Sequence, residues 1–367
     1  MRRLILTLDF LMSSLPARLS LLTAVLLLLF TASTSQAQES RSAASYFNRG
    51  SDSFARRDLD KAIADFDIAI TFDPRFVQAY INRGIARFEL GDLDQAIADF
   101  DKAIEINPRL AMTYIWRGLA REARAELDSA IADYDTAIKL DPRSPITYNN
   151  RGNVWKARSD LDKAYADFSK ALDLDPRLAA AYIGRGVIKR DRGDPDGAIA
   201  DFNRAIEINP RLAEAFTNRG SARQEKGDLD GAIADYDKAI EINPGSPAPY
   251  YGRGNAWKRK GRLEEALADY NKAVEINPGY GEAYNNRGVI WFTKGRLEEA
   301  VADFDKAIES DPRNGEAYGN RGMARLLEGR VEEAERDFEQ CLKLDAGLKA
   351  WIEEHIRQIK QARTVKQ

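Results

Sequence analysis

The side chains able to do covalent or metal chemistry are few. The chain holds one histidine, His355, and one cysteine, Cys341, both near the C-terminus. A nucleophile needs a base within hydrogen-bond reach, and a metal centre needs a cluster of His, Cys or carboxylates at ligand spacing. Neither pattern occurs, and no Gly-rich phosphate loop follows a strand. Carboxylates are plentiful. The D-x-D pairs Asp65-Asp67, Asp99-Asp101, Asp133-Asp135, Asp235-Asp237 and Asp303-Asp305 recur at multiples of 34 residues. A feature copied this often reads as a solvated helix face rather than as a set of active centres. The lone Cys341 excludes an internal disulfide framework and reads as a small buried apolar residue. His355 reads as packed on the apolar face of a closing helix. These residues point away from an enzyme and require no cofactor or metal.

One cation and one anion are copied more regularly still. Arg49, Arg83, Arg117, Arg151, Arg185, Arg219, Arg253, Arg287 and Arg321 each precede a Gly at intervals of 34 residues. Asp65, Asp99, Asp133, Asp167, Asp201, Asp235, Asp269, Asp303 and Asp337 keep the same beat. Arg can hold a carboxylate with two parallel hydrogen bonds. The equal repetition predicts a pairing ladder between helices. The alternative is a row of arginines gripping an acidic ligand.

The elements that carry these residues follow from the period. Pro74, Pro108, Pro142, Pro176, Pro210, Pro244, Pro278 and Pro312 are each 34 residues apart, which marks a stacked array. The unit from Ala213 to Ser246 reads as two helices. Ala232, Tyr236, Ala239 and Ile240 form the apolar stripe of the second helix. Gly227 is placed to end the first helix in a left-handed conformation, Asp228 to cap the second, and Pro244 to sit in the first turn of the next. One such pair cannot bury its own apolar face, so it needs neighbours.

Counted from Ala213, the landmarks are Gly220 at position 8, Ala232 at 20, Tyr236 at 24, Ala239 at 27 and Pro244 at 32. This unit resembles the tetratricopeptide repeat (TPR), and residues 43–348 read as nine copies of it. The resemblance implies an all-α fold, an α-α superhelical solenoid of helix-turn-helix repeats, with a C-terminal capping helix and frayed tail over 349–367. Leu348, Trp351, Ile352, His355, Ile356 and Ile359 fall on one face of that closing helix.

Residues 1–37 stand apart from the array. Arg2 and Arg3 lead into the apolar run Leu19–Phe30, and Ser35-Gln36-Ala37 is a small-x-small site. This is a secretory signal pattern with cleavage after Ala37, followed by a short linker over 38–42. Without cleavage the same run would be a membrane anchor, and in either case the repeats lie outside the cytoplasm, in a periplasm or beyond. The whole chain carries a formal charge of −3. Arg2, Arg3 and Arg18 against Asp9 leave −5 on the remainder. No basic stripe stands out, which argues against nucleic acid as a partner.

Ligand readout belongs where the copies differ. By resemblance to peptide-binding TPR arrays, positions 2, 5, 6, 9, 12 and 13 of each first helix face a concave groove. In repeats one to three these positions give the apolar residues Phe47, Phe54, Ile81, Ile85, Phe88, Met112, Ile115 and Leu119. Further along they give Asn149, Asn153, Lys156 and Arg190, then Tyr251, Asn255, Lys258 and Arg259. Asn recurs at position 6 as Asn48, Asn82, Asn150, Asn218, Asn286 and Asn320, and the resemblance implies that it bonds a peptide backbone. No copy has Lys at position 2 or 5, which sets aside the clamp that some TPR modules use for chaperone tails. The expected function is a non-catalytic scaffold that binds extended or helical segments of protein partners in cell-envelope assembly. The alternative is an accessory subunit of an envelope glycan or polymer synthase or secretion complex.

Overall fold

The computed structural model describes residues 42–350, 352–354 and 356–357. Among these there is no strand, and nine helix pairs follow one another. They divide into two compact units that meet in sequence at Leu174 and Asp175. The first unit holds α1 (Ala43–Ala55) and α2 (Leu59–Phe72), α3 (Val77–Glu89) and α4 (Leu93–Ile106), α5 (Ala111–Ala123) and α6 (Leu127–Leu140), and α7 (Pro145–Ala157) and α8 (Leu161–Leu174). The second holds α9 (Ala179–Asp191) and α10 (Pro195–Ile208), α11 (Ala213–Glu225) and α12 (Leu229–Ile242), α13 (Pro247–Arg259) and α14 (Leu263–Ile276), α15 (Gly281–Thr293) and α16 (Leu297–Ser310), and α17 (Gly315–Leu327) and α18 (Val331–Leu344). The signal pattern over 1–37 lies outside the described residues.

The sixth pair shows why the unit folds. Gly227 has φ +86°, the left-handed conformation that stops α11 and turns the chain back. Asp228 then caps α12 by accepting from the Gly231 backbone N–H at 2.9 Å. Ala232 and Ala239 are fully buried and let the two helices close on Tyr236, 1% exposed. Burying a large side chain of this kind stabilises by roughly 1.5–3 kcal/mol. A Cβ on Gly220 would stand 2.9 Å from the Tyr236 ring, so the small residue is what admits the aromatic one. Pro244 does not open the next helix, as its position in the sequence allowed. It sits in the turn after α12, and α13 begins at Pro247, a position that suits proline because the first helical N–H has no intrahelical partner.

Two departures between copies have local answers. Where Gly is missing from the turn, Arg57, Ala125 and Ser159 adopt φ of +65°, +61° and +63°. Where Arg replaces the Asp cap, Arg262, Arg296 and Arg330 make no cap bond. Their Nε atoms instead donate to Glu265, Glu299 and Glu333 at 2.8, 2.9 and 2.8 Å. The carboxylates sit in the first turn, where the helix dipole favours negative charge.

The array closes at its C-terminal end. A 3-10 turn, Ala346–Leu348, leads into residues 349–350, 352–354 and 356–357, which are helical. Ile352, 4% exposed, joins a core of Met323, Leu326, Phe338 and Cys341, with Leu348 and Ile356 packed against it. Cys341 is fully buried and burial pushes its thiol pKa up, so it is a packing residue. Trp351, His355 and Ile359 of the closing face lie outside the described residues. No helix among the described residues is long and apolar enough to cross a membrane.

Candidate peptide-binding face

The arginine row is structural. In each repeat the Arg of the first helix bonds the Asp sixteen residues on, in the second helix of its own repeat. Arg151 Nε and Nη2 donate to Asp167 at 2.8 and 2.7 Å, and Arg185 repeats this on Asp201 at 2.9 and 2.8 Å. The third donor reaches back one repeat: Arg219 Nη1 to Asn203 at 2.7 Å, Arg287 Nη1 to Asn271 and Arg321 Nη1 to Asp305, both at 2.6 Å. Each guanidinium also lies over the aromatic ring three residues before it, as Arg219 over Phe216 at 5.3 Å and Arg321 over Tyr318 at 5.3 Å. The first Asp of each D-x-D pair is therefore not on a solvated face. Asp65, Asp99, Asp133, Asp235 and Asp303 are between 2 and 5% exposed. Their solvated neighbours are the second members, such as Asp101 and Asp237.

A second cation completes the site in some copies. Arg87, Arg121, Arg223 and Arg325 donate to Asp99, Asp133, Asp235 and Asp337 at 2.7 to 2.9 Å, and Lys189 pairs with Asp201 at 2.9 Å. Trp155, Trp257 and Trp291 take that place in repeats four, seven and eight. In repeats seven and eight burial outweighs the hydrogen bonds that oppose it, and the carboxyls of Asp269 and Asp303 are raised above their ordinary range.

Within each unit, first helices of successive repeats pack side by side: α1 with α3, α3 with α5 and α5 with α7, then α9 with α11, α11 with α13 and α15 with α17. The candidate residues all lie on these first helices, and two of them are buried. Ile115, 6% exposed, is part of the core with Tyr114, Ile131 and Tyr134. Asn149, 8% exposed, is buried, with Nδ2 donating to Asn150 Oδ1 at 3.4 Å and Oδ1 unpartnered. Both occupy position 5, which tucks between helices rather than facing out. Phe47 is half-buried for the same reason, its ring 5.7 Å from Phe66 and 4.9 Å from Phe76, and Ile81 packs on Val77 and Tyr80.

The rest of the apolar row remains on the surface of the first unit. Phe54 and Ile85, with Asn82, line a hollow of about 80 Å³. Phe88 meets Trp116 edge-on at 6.0 Å. Met112 is 57% exposed, and so is Ile146, at 55%, a residue the sequence reading passed over although it shares position 2 with Met112. Asn48 is exposed, and Asn150, Asn153 and Lys156 are half-buried. Lys156 faces the field of Glu122, whose carboxyl is raised by burial and accepts from the Tyr134 hydroxyl at 3.1 Å.

In the second unit the same face is polar. Arg190 is held by Asp191 at 2.9 Å and lies 3.6 Å from Glu225. Asn218 is half-buried, and Arg259 donates to the Gln224 carbonyl at 2.6 Å. Asn286 ties α15 to α13. Its Nδ2 donates to Tyr251 Oη and Asn255 Oδ1, both at 3.1 Å, and its Oδ1 accepts from Lys258 Nζ at 2.7 Å. The Tyr270 hydroxyl donates to Asn255 Oδ1 at 2.7 Å. Asn320 Nδ2 donates to Asn285 Oδ1 at 3.0 Å, and Asn285 Nδ2 to Glu316 at 3.3 Å. Burial pushes the Lys258 ammonium pKa down and the Tyr251 and Tyr280 phenols up, Tyr280 to about 12. This network joins side chains up to 35 residues apart, and no signal within one repeat announces it.

Comparison with known proteins agrees with this architecture. Models described as "Tetratricopeptide repeat" match residues 77–110, 145–178, 251–312 and 292–348, and one described as "TPR repeat" matches 123–158, 186–227 and 222–261. Among solved structures, the Cut9–Hcn1 hetero-tetramer of the APC/C is 12% identical over 86% of this chain and 76% of that one, with a TM-score of 0.61. A tetratricopeptide repeat protein from Parabacteroides merdae is 21% identical over 70% of this chain and 98% of that one, with a TM-score of 0.55. YrrB, described as a TPR protein with an unusual peptide-binding site, is 30% identical over 50% of this chain and 95% of that one, with a TM-score of 0.40. No curated protein sequence matches the chain. The repeated helix pair, the small residues that admit its aromatic anchor and the family models matched over most of the sequence give one conclusion: the chain belongs to the tetratricopeptide-repeat family.

Proposed function

We propose that this protein is a non-catalytic scaffold that binds extended or helical segments of protein partners on its first-helix face, and that it does so outside the cytoplasm, in assembly of the cell envelope. The observation that carries the binding reading is the side-by-side packing of first helices with Phe54, Phe88, Met112 and Ile146 left partly or largely uncovered. Exposed large apolar side chains gathered on one face mark an interaction site. Amide side chains beside them offer both donors and acceptors to a peptide backbone. The envelope reading rests on the signal pattern of residues 1–37.

The test is the pair Phe54→Ala with Phe88→Ala, assayed against peptides selected from a displayed random library on the whole repeat array. Aromatic anchors commonly contribute about 2 kcal/mol or more each. Binding should fall by more than tenfold with the melting curve nearly unchanged. Loss of a dimer by light scattering, with peptide affinity intact, would assign these residues to self-association instead.

A further inference from the structure

We propose that Lys258 receives a single carboxylate of the bound peptide, and that Glu282 and Glu316 give the adjoining ligand position to a basic residue. This rests on the reading of the first-helix face as a peptide site. It adds which charges the second unit selects.

Lys258 differs from the other cations of the array. Among the described lysines, those in ion pairs include Lys189 with Asp201, Lys226 with Asp196, Lys260 with Asp230 and Lys294 with Glu264. The unpaired ones are exposed, except Lys156 and Lys258, both at position 12 and both half-buried. Lys258 Nζ makes one hydrogen bond, to Asn286 Oδ1 at 2.7 Å, and has no carboxylate within ion-pair distance. An ammonium group has three donors and no acceptor. A half-buried cation in this condition has lost water without gaining an ion pair: burial lowers its pKa, and the charge of Glu316, beyond ion-pair distance, opposes this only in part.

The amides around it are oriented by the lysine. Because Lys258 can only donate, Asn286 must turn its oxygen toward it. That leaves Asn286 Nδ2 to donate to Tyr251 and to Asn255 Oδ1, and the Tyr270 hydroxyl closes on the same oxygen. The acceptors of Asn286 and Asn255 are thus engaged inside the network. What remains for a ligand is mainly N–H, the two on the ammonium, since the Asn255 side chain also bonds the Tyr251 hydroxyl. A carboxylate supplies acceptors and a negative charge at hydrogen-bond distance together, and charge-assisted bonds of this kind are the strong ones.

The sign changes one helix further on. Glu282 on α15 and Glu316 on α17 are exposed, and both act on the Tyr251 hydroxyl as negative charges. Glu316 is steadied by Asn285 at 3.3 Å. A second carboxylate there would meet like charge, whereas a Lys or Arg would be attracted. The face therefore fits a segment in which an acidic group is followed, toward repeats eight and nine, by a basic one. The carboxylate comes either from an Asp or Glu side chain or from a chain terminus.

The experiment uses peptides selected from a random displayed library on the whole protein and measured by fluorescence anisotropy. Winning peptides should carry one carboxylate next to a basic residue. Replacing that carboxylate by its amide, either Glu→Gln or an amidated C-terminus, should cost tenfold or more and tells the two sources apart. On Lys258→Gln the same replacement should cost nothing, while the variant melts at or above the parent temperature because a poorly solvated charge has gone. Glu282→Gln with Glu316→Gln should erase the preference for a basic over an acidic neighbour. Affinity for the acid peptide should fall as pH rises through the lowered Lys258 value, and only with Lys258 present. Peptides that bind Lys258→Gln with parental affinity and lose nothing on amidation would overturn this inference and leave the peptide face standing. Failure to select any peptide would overturn both.

Discussion

Arg219 holds Asp235 through two parallel bonds, with Nε donating to Oδ2 at 2.9 Å and Nη2 to Oδ1. The carboxylate is 3% exposed and takes a further bond from Arg223 Nη1 at 2.9 Å. Breaking a buried pair from one side costs about 3–5 kcal/mol, because an uncompensated charge is left behind. The bond retained from Arg223 places Arg219→Leu at the lower end. Urea unfolding followed by circular dichroism measures the loss. An unchanged midpoint with peptide binding abolished would return the arginine row to ligand recognition.

Asp99 and Asp269 occupy the same position with different company. Asp99 is held by Arg83 and Arg87, whereas Asp269 has Arg253 alone, with Trp257 in the place of the second cation. Burial raises the Asp269 carboxyl, Arg253 opposes this, and Asp237 adds to it. A carboxyl whose native pKa lies above its unfolded value, about 3.9, stabilises most when protonated and loses that contribution as pH rises through the native value. Asp269→Asn should therefore cost less at neutral pH than Asp99→Asn. Its deficit against the parent should shrink as pH rises from the ordinary carboxyl range. Melting temperatures of both variants across pH decide this; a deficit for Asp269→Asn that grows with pH would contradict it.

Ala125 sits at φ +61° in a turn where Gly91, Gly193 and Gly227 do the same work elsewhere. A side chain in the left-handed region costs about 1–2 kcal/mol, and Gly gives back part of this in unfolded-state entropy. Ala125→Gly should raise stability by roughly 0.5–1 kcal/mol. Gly91→Ala should lower it although a Cβ there meets nothing within 4 Å, which isolates backbone strain from packing. Opposite shifts in the denaturant midpoint are the expected result.

Export makes a plain prediction. If the signal pattern of residues 1–37 acts as proposed, the mature protein begins at Gln38. N-terminal sequencing of native protein from its source reads this directly. Met1 retained on membrane-bound protein would support an uncleaved anchor instead.

Much of the fold was legible because the period repeats one solution. The left-handed turn at Gly227, the Asp228 cap and the Arg–Asp ladder all follow from residues seen many times over. The burial of Asp65 beside the solvated Asp67 shows a reading that went astray on a point helical geometry settles. Residues i and i+2 do not share a helix face, so a D-x-D pair cannot be solvated as one surface. Ile115 and Asn149 were misplaced because position 5 lies near the seam between helices, where the bulk of the neighbours sets exposure. The Lys258 network was illegible for another reason. It is assembled from single departures at different positions in adjacent copies, and periodicity averages such departures away.

The ladder has an arithmetic of its own. Every guanidinium finds its carboxylate sixteen residues ahead, and where a back-bond forms its partner is sixteen residues behind, as with Arg321 between Asp337 and Asp305. Duplication or excision of whole 34-residue modules rejoins each arginine to an equivalent partner, while a cut that removes an arginine but leaves its aspartate strands a buried carboxylate. The gene can thus lengthen or shorten by unequal recombination between copies and still encode a folded product, provided the exchange keeps phase. Selection for stability then acts to hold the copies to one length while residues outside the ladder differ between them.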